Sequence, residues 1–170
     1  MNYFELFELE VSFIIDKVAL KQKYYALSRA FHPDNFTLSN ADAQSEALTK
    51  TTMLNEGFKI LNDKQKRIKY VLELAGVSFE EGKETVPQDF LMEMMDINEE
   101  IMEFQMDPEK EVLNQLLDKL YGLEELLDKT IDDKLVNFNL ENVNYEHLSK
   151  IKEYYLKSKY LVRVKNNLSV

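Results

Sequence analysis

Only four glycines and three prolines interrupt this 170-residue chain. Both residues break regular structure. A chain so poor in them, and rich in Leu, Lys, Glu and Met, is built to form helices. The length suits one or two small helical domains with real cores, so the expected fold class is all-α. Cysteine is absent, which excludes disulfides, thiol catalysis and thiolate ligation of zinc or of an iron–sulfur cluster.

Hydrophobic spacing divides the chain. Tyr3, Phe4, Leu6, Phe7 and Leu9 form a short apolar helix or turn. Asp16 is placed to cap a helix running to about Phe31, with Leu20, Tyr24, Leu27 and Phe31 on one stripe. Pro33 disfavours helix at His32 and ends it. Residues 35–45 read as a loop. A third helix buries Ala47, Leu54, Phe58 and Leu61 and stops at Asn62-Asp63, and a short fourth closes at Gly76. Residues 1–76 are therefore an antiparallel helical hairpin with short flanking helices. Residues 77–87, with Gly82, Pro87 and several Glu, read as a linker. Residues 88–170 are expected to form a three-helix bundle. Its first helix covers about 88–105. Asp107-Pro108 is the expected cap and first position of the second, which carries Leu113, Leu116, Leu120, Leu123 and Leu127. The third runs from about Tyr145 to Leu168.

The net charge of −10 weighs against nucleic acid as a partner, because phosphate contacts need a basic footprint. The charge is unevenly spread. Residues 77–148 hold 20 acidic and 5 basic side chains, whereas residues 149–170 hold six basic and one acidic. Pairing of the acidic middle with the basic end inside a bundle is the simplest expectation. No apolar run approaches membrane-spanning length, and no basic region precedes an apolar one at the N-terminus. The cytoplasm, or an organelle matrix such as that of mitochondria after processing, is the expected location. His32 and His147 are the only histidines and are far apart, and there is no glycine-rich phosphate loop. No metal, no cofactor and no catalytic residue is therefore expected. The many carboxylates fall on exposed helix faces, where they serve poorly as general acids.

Two constellations remain. Lys17, Lys21, Tyr25 and Arg29 recur every four residues and form one ridge, with no acidic residue between Lys17 and Phe31. A solvated face and a docking surface for an acidic partner both fit it. The ridge ends at His32-Pro33-Asp34, where Pro33 fixes the backbone and sets the directions of His32 and Asp34. Their polar tips can bond a partner or stabilise the loop. In the bundle, Phe90, Met94, Ile97, Ile101 and Phe104 satisfy the core on their own. Leu91, Met92 and Met95 are left over, and Met92 heads a line continuing through Asp96, Glu99 and Glu103. A wide core face with some exposed Met, or an apolar and acidic docking surface, both account for this.

The first 76 residues resemble a J-domain, the module that stimulates ATP hydrolysis by DnaK-type chaperones. His32-Pro33-Asp34 carries the resemblance, together with Asn55-Glu56, Phe58 and Leu61, and with Asp63, Lys66-Arg67 and Tyr70. It implies that Lys21, Tyr24, Tyr25 and Arg29 face the chaperone and that His32, Pro33 and Asp34 are the trigger. Asn35 departs from the common lysine. The fusion to a short bundle opening Phe90-Leu91-Met92-Glu93 resembles the HscB-type iron–sulfur cluster co-chaperones along essentially the whole chain, and Asn2-Tyr3-Phe4 with Leu6-Phe7 fits as well. That resemblance gives the bundle an oligomerisation and scaffold-binding role. Leu91, Met92, Met95, Asp96, Glu99, Glu103 and Tyr160 would contact an IscU-type scaffold. The cysteine-rich N-terminal extension of some eukaryotic members is absent, which favours a bacterial or already processed form.

The expected function is that of a non-enzymatic adaptor. It binds the iron–sulfur scaffold, delivers it to a DnaK/HscA-type chaperone and stimulates that chaperone's ATPase. The alternatives are a J-domain co-chaperone for a different client, a carboxylate–metal enzyme in the bundle, and a bundle that serves as the surface of a weak homodimer.

Overall fold

The computed structural model describes residues 1–168. The last two residues of the expected 88–170 bundle therefore lie outside the described chain. The described residues form seven α-helices, one 3-10 turn and no strand, and the fold is all-α. Two compact units result. One comprises Met1–Ala75 with Phe138–Glu141, and the other Gly76–Asn137 with the chain from Asn142 onward.

In the first unit every α-helix begins on an Asn or Asp whose side chain accepts backbone N–H groups. Asn2 and Glu5 make a reciprocal capping box on α1 (Tyr3–Leu6). Asp16 accepts from Val18 and Ala19 at the start of α2 (Lys17–Ala30). Asn40 accepts from Ala43 on α3 (Ala41–Asn62), and Asp63 from Lys66 on α4 (Lys64–Leu74). These caps satisfy amides that the helices leave orphaned. Helix α3 starts at Ala41, so residues 41–45 are helical and not loop as expected. Asn40 is the start signal that composition hid. Helices α2 and α3 form the hairpin, and Leu20, Ala47, Leu54 and Leu61 are buried.

α1 lies across α3 at Gly57, where a Cβ would sit 2.8 Å from Tyr3 Cδ1 and 3.0 Å from Phe7 Cε2. Only glycine admits that approach. α1 is also tied to α4: the Tyr3 N–H donates to the Tyr70 hydroxyl at 3.0 Å, and the Phe4 and Tyr70 rings stack. Arg67 is buried beneath the segment before α2. Its Nε donates to the Phe13 carbonyl at 2.9 Å and its Nη1 to the Leu61 carbonyl. Burial lowers its pKa, but Asp63 opposes the shift and the group stays charged.

The second unit packs α5 (Gln88–Met106), α6 (Lys110–Val136) and α7 (Tyr145–Leu168) against one another. Phe90, Met94, Ile97, Ile101 and Phe104 are all buried, with Leu116, Leu120, Leu161, Val164 and Leu168 opposite. Leu113, Leu123 and Leu127 flank this core half-buried. The expected Asp107-Pro108 cap is corrected. The Asp107 N–H closes the last turn of α5 on the Glu103 carbonyl, so Asp107 belongs to the preceding helix. Pro108 holds it extended, and α6 begins two residues later at Lys110 without a side-chain cap. Residues 77–87 are not a free tether. The Lys152 ammonium donates to the Ser78 carbonyl and to Glu84, both at 3.0 Å, and lies over the Phe79 ring. Lys165 reaches Glu124 at 2.8 Å and Lys150 reaches Glu146 at 3.0 Å, so Lys150, Lys152 and Lys165 of the basic end do pair with the acidic middle.

Candidate functional site

The ridge on α2 lies as its spacing requires. Lys17, Lys21, Tyr25 and Arg29 are exposed, and the Lys21 ammonium stands 5.9 Å from the Tyr25 ring centre. Tyr24, one position round the helix, turns instead toward α3. Its ring stacks on Phe58 at 4.3 Å, and its hydroxyl donates to Asn55 Oδ1 at 2.8 Å. It is half-buried and stiffens the hairpin behind the ridge. Two shallow hollows border Tyr25. One, of about 770 Å³, is lined by Lys17, Val18, Lys21, Gln22, Phe58 and Asn62. The other, of about 580 Å³, reaches Ser28, Arg29, His32 and Asn35. Val18 is well exposed in the first. Sequence reasoning missed it, although an apolar residue beside Lys17 on a charged face was the available signal.

His32 caps the 3-10 turn Pro33–Phe36. Its Nδ1 accepts from the Asp34 N–H at 3.3 Å, and Asp34 Oδ2 lies 3.6 Å from the same nitrogen. The neutral ring in this arrangement carries its proton on Nε2. The His32 and Asp34 side chains are 57% and 85% exposed, so loop stabilisation and availability to a partner hold together. Asn35 ties the turn back to α2, its Nδ2 donating to the Arg29 carbonyl at 2.7 Å. Asn35 thus anchors the loop by hydrogen bonding where a lysine would add charge.

On α5, Leu91 is half-buried while Met92 and Met95 are 59% and 55% exposed. Asp96, Glu99 and Glu103 are exposed on the same side, and among the described residues no ion pair involves them. Glu100 does pair, with Lys119 at 2.6 Å. Tyr160 is half-buried on α7 and meets Phe90 edge-on at 6.2 Å, with the Arg163 guanidinium 5.7 Å from its ring. It joins the α5 face through Phe90, the residue before Leu91. Met102 and Met106, which sequence reasoning did not single out, are 63% and 87% exposed. Among the described residues, no group of three or more His, Cys, Asp or Glu is placed to hold a metal ion. Among them, too, no helix is long and apolar enough to cross a membrane.

A capped helical hairpin carrying an exposed His-Pro-Asp turn defines a J-domain protein, and residues 2–70 match the DnaJ domain family. Residues 86–169 match the HSCB C-terminal oligomerisation domain. The chain is 34% identical over 145 residues to a co-chaperone HscB homologue of Psychromonas ingrahamii, covering 83% of each. It belongs to the HscB co-chaperone family, which is not an enzyme class. Relatives from Vibrio cholerae and Shewanella amazonensis are 35% and 38% identical, over 59% and 61% of this chain. Those matches span 60% of each relative's length. Among solved structures, HscB from Vibrio cholerae superposes with a TM-score of 0.81 at 25% identity, over 99% of this chain and 95% of that one. Human HscB superposes at 0.84 with 21% identity, over 99% and 80%, and shares the fold.

Proposed function

We propose that this protein binds an IscU-type iron–sulfur scaffold on its bundle, delivers it to a DnaK/HscA-type chaperone and stimulates that chaperone's ATPase. The observation that carries the reading is one exposed surface of distinct character on each unit. The first is a basic, acid-free ridge ending in the His32-Pro33-Asp34 turn, and the second is an apolar face on α5 lined with acids that form no ion pair among the described residues.

The ridge suits an acidic partner surface. Each exposed charge pair there would contribute about 1 kcal/mol or less, so Lys17, Lys21 and Arg29 act chiefly by speeding and orienting encounter. Specific contact then falls to the turn, where Pro33 fixes the backbone and the adjacent His32 and Asp34 offer a donor and a carboxylate. This chain supplies no group to the hydrolysis itself; it acts on the partner's conformation. Scaffold binding on α5 would bring the client to the chaperone in the same encounter, and hydrolysis would tighten the chaperone's hold on it.

The test is single-turnover ATP hydrolysis by the chaperone in the presence of the scaffold. His32→Gln is expected to abolish stimulation while scaffold binding and thermal midpoint stay unchanged. Undiminished stimulation would remove His32 from the trigger. Leu91→Ala with Met95→Ala is expected to do the reverse, weakening scaffold binding at least tenfold while stimulation measured without scaffold persists.

A further inference from the structure

We infer that the scaffold contact runs the whole length of α5, and that Met102 and Met106 form its C-terminal half. The inference rests on the scaffold reading above. At 100° per residue, Leu91, Met95, Met102 and Met106 fall within about 60° of one another on the helix, so they make one strip. The structure leaves Met95, Met102 and Met106 more than half exposed. From Leu91 to Met106 the strip is about 22 Å long. Neither Met102 nor Met106 serves the core, which takes Ile101 and Phe104 from the same turns.

Charge sets the chemistry that the occupant must offer. Helix α5 contains six acidic residues and no Lys or Arg. Glu99 and Glu103 border the methionines on one flank of the strip, and among the described residues neither belongs to an ion pair. A partner surface that covers the strip must therefore be apolar along its middle and carry Lys or Arg on that flank. That chemistry disfavours a second copy of α5, which would oppose acid to acid. Flexible, polarisable methionine suits a surface that adapts to a folded partner.

Calorimetric titration of the full chain with the scaffold protein tests this at two salt concentrations. Met102→Gln with Met106→Gln keeps helix propensity and should weaken binding about tenfold with an unchanged thermal midpoint. Met102→Leu with Met106→Leu should restore affinity. The salt dependence should be the same in all three proteins, because only apolar contact is altered. If Leu91→Ala with Met95→Ala weakens binding and the glutamine pair does not, the contact ends near Glu99; the extension fails and the scaffold reading stands. If neither pair changes the affinity, or the wild type does not bind, the scaffold reading fails and the extension with it. If the glutamine pair instead abolishes a concentration-dependent dimer and leaves scaffold affinity intact, the strip is a self-association surface and the inference is overturned.

Discussion

The two units solve the problem of helix stability differently. The first builds from helices of 4, 14, 22 and 11 residues, and each opens on an Asn or Asp cap. The second uses helices of 19, 27 and 24 residues, and neither α5 nor α6 has a side-chain cap. Asn144 does serve α7, accepting from the His147 N–H at 3.1 Å. Short helices such as α1 and α4 gain little from propagation and need their ends satisfied, whereas the uncapped α5 and α6 are held by a continuous packed face. The proposed function follows the same division: in the first unit it would rest on a turn whose geometry is set by local bonds, and in the second on residues the core did not use.

Two glycines make the contrast measurable. Gly57→Ala pushes a methyl into rings already engaged by Tyr70 and Glu56, and should cost about 1–3 kcal/mol by denaturant titration. A neutral result would mean that α1 gives way easily and that the first unit is looser than its bonds suggest. Next in size, Asp16→Ala should cost about 1 kcal/mol through the loss of two amide bonds, while Glu109→Ala at the start of α6 should cost far less. Equal losses would erase the distinction drawn from capping. Gly122, in the middle of α6, has open space within 4 Å of where a Cβ would stand, so Gly122→Ala should stabilise by about 0.5–1 kcal/mol.

The smallest effect concerns pH. The Glu80 N–H, and then Lys152, hold the Glu84 carboxyl below the usual range. A depressed folded-state value contributes stability above the ordinary glutamate pKa of about 4.3, and that contribution is lost as pH falls through the folded value. Glu84→Gln should therefore be slightly less stable than wild type at neutral pH and equal to it in strong acid. A constant gap across that range would show that Glu84 acts through packing.

Much of this was legible in the sequence because it is periodic. The five core positions of α5 follow from spacing alone, and so does the alignment of Lys17, Lys21, Tyr25 and Arg29. The start of α3 was obscured because residues 41–45 are small and polar, and only Asn40 marked the boundary. At Asp107-Pro108 the extended backbone that proline imposes suits a cap and a turn equally, and only the bond to Glu103 decides between them. Met102 and Met106 lay in plain view at spacings of seven and four, but exposure cannot be read from periodicity when a helix is apolar on two sides. The Tyr24 contact with Phe58 depends on how two helices cross, and the burial of Arg67 on the Phe13 carbonyl, far earlier in the chain. Neither leaves a local trace.

Arg67 has a consequence for mutational tolerance. It holds the carbonyls of residues 13 and 61, so one side chain fastens three stretches of chain that share no other code. Lysine keeps the charge but lacks the fork that reaches two acceptors at once. In a saturation library selected for folding, position 67 should therefore reject even lysine. Position 66, exposed one residue away, should accept nearly anything.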